Sequence, residues 1–113
     1  MITIYHNPRC GKSRECLAYL ETTNQEFEVI KYLEHPLNFN ELSELINKLN
    51  ITPIELIRTK EAIWIENYKG KTLSDTSIIQ AMVEYPILIE RPIAVKGNRA
   101  VIARPLNAIE ALL

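Results

Sequence analysis

The run His6-Asn7-Pro8-Arg9-Cys10-Gly11-Lys12-Ser13 contains the residue types that could do chemistry, and it admits two readings. Its end, Gly11-Lys12-Ser13, is similar to the close of a phosphate-binding loop. Its centre, Cys10 just ahead of a helix start, suits a reactive thiol. Spacing rejects the first reading. A phosphate loop needs a glycine, four residues, then Gly-Lys-Ser/Thr, because the first glycine lets the backbone fold around the phosphate. Here that position is His6. The C-x-x-x-x-x-R loop of tyrosine phosphatases fails too, since its arginine falls on Cys16. The two cysteines and two histidines make no paired zinc-ligand spacing, so no metal is expected. Ser13 stands where a Cys-x-x-Cys dithiol would have its second sulfur.

A single-thiol site survives. Cys10 lies within about one turn of a helix start, where unsatisfied N–H groups and the helix dipole favour an anion. Arg9, Lys12 and Arg14 add positive charge around it. Such surroundings bring a thiol from about 8.5 into the range of roughly 3.5 to 7.5. The plain alternative, a small buried cysteine, suits a polar turn among cations less well. For Cys16 the preference reverses, because it shares a helical apolar face with Leu17 and Leu20. His6 has two even readings: its imidazole tunes the Cys10 thiolate, or it caps the strand end. His35, beside Pro36 in a turn, is expected to be exposed.

Elements must hold this loop in place. Ile2 and Ile4 predict a short buried strand ending near His6, which Asn7-Pro8 breaks. A helix follows over about Gly11–Glu21, and Phe27–Ile30 reads as a second strand. Leu42, Leu45, Ile46 and Leu49 recur at helical spacing, with Asn38 and Glu41 as a cap pair. Thr52-Pro53-Ile54-Glu55 matches a capping box and predicts a short helix with Arg58 near its end. Further helices are expected over Glu61–Tyr68 and Asp75–Glu84. The latter has Ser74 as its cap and Ile78, Ile79, Met82 and Val83 facing inward. Ile93–Lys96 and Arg99–Ile102 flank Gly97-Asn98, a hairpin signal. Arg104-Pro105 then opens a C-terminal helix carrying Leu106, Ile109, Leu112 and Leu113. The order β-α-β, helices, β-β-α is that of an α/β thioredoxin-like fold. It implies a mixed central sheet in a single domain over 1–113, with a helical insert at about 38–85.

The whole chain sets further bounds. With 113 residues and 47% hydrophobic content it can bury a core without disulfides. A net charge of −1 argues against nucleic acid as partner. No apolar run approaches the roughly 18 residues of a membrane span. Met1–Tyr5 reads as a strand already under way, so no signal peptide is expected and a cytoplasmic location is. In a reducing compartment the cysteines are expected to be free or functional rather than bridged. No exposed apolar patch calls for a dimer, so a monomer is expected.

Beyond these readings, the chain resembles a known family, the glutaredoxin-linked arsenate reductases of the ArsC type, which have a thioredoxin-like fold. The resemblance rests on Tyr5–Arg14, Tyr32-Leu33-Glu34 with Pro36, Leu56-Ile57-Arg58, Pro86–Ile93 and Arg104-Pro105, in that order. It implies that Cys10 is the nucleophile toward arsenic(V). It also implies that Arg58, Arg91 and Arg104 bind the oxyanion, with His6, Ser13 and Pro92 in support. Planar guanidinium forks bind such anions bidentately, which makes the implied set chemically coherent. Pro92 resembles the cis-proline of thioredoxin-like folds. The chain departs from the family in stopping shortly after its last helix and in having Leu106-Asn107 after Arg104-Pro105.

The resemblance further implies that no cofactor is bound and that glutathione is a co-substrate. A lone catalytic cysteine needs an external thiol, and glutaredoxin is the implied partner for regenerating it. Two other readings stand beside this one. The first is a redox-sensing regulator of the same fold that binds RNA polymerase, although Ser13 removes the dithiol such regulators use. The second is a related thiol-dependent reductase with another substrate.

Overall fold

Alternating Ile2-Thr3-Ile4-Tyr5-His6 forms β1 (Ile2–His6), with Ile2, Ile4 and His6 buried and Thr3 and Tyr5 half-buried. A computed structural model describes all 113 residues, which divide into two units, 1–35 with 91–113, and 36–90. In the first unit β1 lies inside a four-stranded sheet ordered β2-β1-β3-β4, with β2 at Phe27–Lys31, β3 at Ile93–Lys96 and β4 at Arg99–Ile102. Ile4 faces Val29 across a parallel pair and Ala94 across an antiparallel one. The parallel pair is joined through α1 (Gly11–Glu21), as a βαβ crossover requires. β3 and β4 form the expected hairpin, and Gly97 takes the positive φ of 61° that its turn needs. This is the mixed thioredoxin-like sheet that the element order predicts.

The apolar face of α1 closes the core of this unit. Cys16 and Leu20 pack with Ile2, Ile4, Ala94, Ala103, Ile109 and Leu112. The tail departs from expectation, because Leu106–Leu112 winds as a 3-10 helix. Leu106, Ile109 and Leu112 recur every third residue, which aligns them on one face at three residues per turn. The same i, i+3 spacing also fits an α-helix, so the pattern alone does not separate the two.

The second unit is helical. α2 (Phe39–Leu49) starts with the expected capping box: Glu41 N–H donates to Asn38 Oδ1 at 2.8 Å, and Asn38 N–H donates to Glu41 Oε1 at 3.0 Å. Leu42, Leu45 and Ile46 are buried along its inner stripe. Thr52 and Glu55 also form their box, but it opens only a 3-10 turn over Pro53–Leu56. Arg58 therefore lies beyond that turn rather than near a helix end. The reason is long-range: Ile57 bridges Ile89, Arg58 N–H donates to Leu88 O at 2.8 Å, and Glu90 N–H donates to Leu56 O at 2.9 Å. That pairing holds the backbone extended and uses groups a helix would need. α3 covers Ala62–Asn67. α4 (Asp75–Glu84) is capped by Ser74 as expected and buries Ile78, Ile79, Ala81 and Met82, while Val83 is only half-buried. It packs against α2, the Pro53–Leu56 turn and a second 3-10 turn at Pro86–Leu88. No helix is long and apolar enough to cross a membrane.

Candidate active site

The loop between β1 and α1 is shaped by Asn7. Its side-chain Oδ1 accepts from Arg9 N–H at 3.0 Å, and its carbonyl accepts from Cys10 N–H at 3.0 Å. The first contact is that of an Asx turn and the second that of a β-turn. Its own N–H reaches the hydroxyl of Ser13 at 3.4 Å, and Ser13 is fully buried. Asn7, only 3% exposed, is a structural residue the sequence reading passed over. The Asn-Pro pair before the cysteine was the signal available for it.

This turn sets Cys10 at the N-cap of α1 with extended φ and ψ, so the sulfur sits over the helix's first amides. Burial alone would push its thiol up. The backbone N–H of Ser13, the Arg91 guanidinium, the N–H of Lys12 and the Ser13 hydroxyl outweigh that and hold it at about 6. Each of these donors bonds best to the thiolate, which is why they favour it. Arg104 adds a contact, its Nη2 donating to Cys10 Sγ at 3.4 Å. Arg104 Nε donates to the carbonyl of Arg91 at 2.7 Å, which ties the two arginines to each other. Both precede prolines, and both Arg91–Pro92 and Arg104–Pro105 are cis.

The cations adjacent in sequence do other work. Lys12 pairs with Glu15 at 3.5 Å in solvent, and Arg14 donates to Pro8 O at 3.1 Å. Neither these side chains nor Arg9 figures among the groups that lower the Cys10 thiol. The charge comes instead from Arg91 and Arg104, far along the chain. Cys16, one turn and a half further along α1, is fully buried, and burial pushes its thiol up to about 11. His6 is 4% exposed, and its Nδ1 has no hydrogen-bond partner. Burial, helped by the charges of Lys31 and Arg14, moves its imidazole below the usual value, against a raising contact with the Ser13 backbone. It is therefore neutral at pH 7. No contact from it to the Cys10 sulfur is among those that set the thiolate. His35 is exposed, as expected.

Arg58 belongs to the second unit and is clasped there by two carboxylates. Its Nε donates to Glu61 at 3.1 Å and its Nη1 to Glu90 at 2.8 Å. Burial works against its charge, but these two acids more than compensate and raise its pKa. Glu61, three residues on, was readable as a partner from spacing, whereas Glu90 was not. No cluster of three or more His, Cys, Asp or Glu suited to a metal ion is present.

Among characterised families, the one described as the ArsC family matches residues 5–112. A protein of Neisseria meningitidis serogroup A called arsenate reductase is 38% identical over 99% of this chain and 97% of its own length. The arsenate reductase of Haemophilus influenzae is 37% identical, over 99% of this chain and 98% of that one. The solved structure titled arsenate reductase from Vibrio cholerae superposes with a TM-score of 0.94 at 41% identity, covering 99% of this chain and 97% of that one.

Proposed function

The chain belongs to the ArsC family, and on that premise we propose that it is an arsenate reductase with Cys10 as its nucleophile. The observation that carries this is a thiol held at about 6 with Arg91 and Arg104 bonded to or beside its sulfur. Near neutral pH such a sulfur is a thiolate, and the guanidinium groups around it suit a tetrahedral oxyanion. Arg58, Arg91 and Arg104 are proposed as the arginines that bind the oxyanion, with Ser13 stabilising the thiolate and His6 and Pro92 supporting the loop.

In the proposed reaction the Cys10 thiolate attacks arsenic(V), a sulfur–arsenic bond forms, and one oxygen leaves as water. Charge developing on that oxygen is met by donors already in place, which is how such sites lower a barrier. Glutathione then attacks the bound arsenic, and glutaredoxin resolves the glutathionylated species. Across the cycle two thiols give up two electrons and end as one disulfide. Arsenic(V) accepts those electrons and leaves as arsenite.

The test is arsenate-dependent NADPH oxidation in a system of glutathione, glutathione reductase and glutaredoxin. Turnover that disappears in Cys10→Ser is the expected result. A folded protein with a reactive Cys10 but no arsenate-dependent oxidation would refute the assignment and favour the regulator or a reductase of another substrate.

A further inference from the structure

The backbone of Cys10 is held from both sides. Its carbonyl accepts from Arg14 N–H at 3.0 Å, the first bond of α1. Its N–H donates to Asn7 O, also at 3.0 Å, across the turn Asn7–Cys10. That turn has Asn first and Pro second, a composition β-turns prefer, and Pro8 fixes its own φ. Asn7 then adds its side chain, whose Oδ1 takes the N–H of Arg9 at 3.0 Å. The helix thus orients the carbonyl side of Cys10, and Asn7 orients the amide side. Between them Cys10 stays extended at φ −95° and ψ 123°, which sets its sulfur over the amides of Lys12 and Ser13.

Asn7 has a second hold on the site. Its backbone N–H meets Ser13 Oγ at 3.4 Å, and Ser13 is fully buried. A hydroxyl has one hydrogen to give and two lone pairs. With an N–H on a lone pair, the hydrogen of Ser13 is left for an acceptor, and the Cys10 sulfur is the one it serves. Asn7 itself is 3% exposed and is not among the groups that bond the sulfur. Its side chain carries no charge for an anion. What it does for the reaction it does through Cys10 and Ser13.

We propose that Asn7 is a positioning residue of the Cys10 nucleophile: the turn its side chain closes holds the sulfur over the first amides of α1, and its N–H turns the Ser13 hydroxyl toward that sulfur. This rests on the reading of Cys10 as the nucleophile and deepens it. The turn is formed before any substrate arrives, so the donors need no rearrangement when charge gathers on the sulfur. Asn7 makes and breaks no bond in the reaction.

The full-length protein is compared with Asn7→Ala, Asn7→Ser and Arg9→Ala by iodoacetamide labelling of Cys10 across pH, with arsenate kinetics alongside. Asn7→Ala deletes the acceptor that closes the turn, so the Cys10 midpoint should rise from about 6 toward about 7. Relative to wild type, kcat/KM for arsenate should then fall about fivefold at pH 6 and hardly at all at pH 8, where base restores the thiolate. A loss through misfolding would not recover with pH. Asn7→Ser accepts from the N–H two residues on more weakly, and should regain part of the midpoint. Arg9→Ala removes an exposed cation but keeps the N–H that Asn7 holds, so its midpoint should match wild type. The proposal is overturned if Asn7→Ala keeps the wild-type midpoint, or if Asn7→Ser regains nothing. It is also overturned if Arg9→Ala raises the midpoint as far, which would make charge the cause. Should Asn7→Ala fail to fold, Asn7→Ser decides: a raised midpoint supports the proposal and a wild-type one overturns it. Labelling needs no arsenate, so it still decides the role of Asn7 if arsenate turnover proves absent.

Discussion

Two cysteines on one helix make the sharpest contrast in the molecule. Cys10 caps the start of α1, and Cys16 sits on its buried face. Both are under 10% exposed, so burial pushes both thiols upward. At Cys10 that push is reversed by two backbone amides, a hydroxyl and a guanidinium, leaving about 6. At Cys16 nothing opposes it, leaving about 11. Reactivity here follows from which donors face the sulfur, not from how deeply the sulfur is buried.

The widest gap should appear in alkylation. At pH 7 Cys10 is mostly thiolate and Cys16 almost wholly thiol, so iodoacetamide should label Cys10 faster by about four decades, given pKa values near 6 and 11. Peptide mapping across pH should place the Cys10 midpoint near 6. Faster labelling of Cys16 at neutral pH would erase the contrast.

Removing the distant donors should come next. Arg91→Ala or Arg104→Ala each deletes a charge-assisted contact of about 1.5–3 kcal/mol, or roughly one to two decades in arsenate turnover. The Cys10 midpoint should rise in the same variants, so titration and kinetics move together. Lysine at either position should restore only part of the loss, since an ammonium keeps the charge without the planar fork. Arg58→Ala should lower turnover with the Cys10 midpoint nearly unchanged, because Arg58 is absent from the groups that set that thiolate. Wild-type turnover in all three variants would remove the oxyanion reading.

Ser13→Ala is a smaller perturbation. It deletes the hydroxyl contact to the sulfur and the acceptor for Asn7 N–H, but keeps the amide contact. The Cys10 midpoint should rise, and turnover should fall by about tenfold or less, in line with one neutral hydrogen bond. An unchanged midpoint would leave the amides and arginines as the whole cause.

The contrast also extends to stability, where its sign differs between the two cysteines. Cys10 titrates near 6 folded and about 8.5 unfolded. Its contribution is therefore complete above about 8.5 and lost as pH falls through 6. Cys16 titrates near 11 folded, so its contribution is complete below about 8.5 and lost as pH rises toward 11. Urea denaturation across pH should show a rise between pH 6 and 8.5 that Cys10→Ala flattens. The decline at high pH should be flattened by Cys16→Ala instead.

Much of this architecture is local enough to be legible without coordinates. The capping boxes at Asn38 and Thr52, the Ser74 cap, the Gly97-Asn98 turn and the apolar face around Cys16 all act within one turn of chain. Where local patterns mislead, a remote partner is the cause. The Thr52 box opens only a 3-10 turn because Ile57 pairs with Ile89. Arg9, Lys12 and Arg14 looked like the source of positive charge at Cys10, yet their side chains are engaged elsewhere or do not contribute.

The proposed nucleophile was therefore legible in the sequence, as a thiol at a helix start in a polar turn without a second cysteine. Its surroundings were a matter for the tertiary structure. Arg104 meets the Cys10 sulfur across 94 positions of chain, and Arg91 reaches it from the loop ahead of β3. The hydrophobic pattern encodes β1, β3 and β4 as separate strands. Only their pairing into one sheet brings the two arginine loops to the end of β1, because hydrogen-bonded register, unlike residue periodicity, is a property of several segments at once.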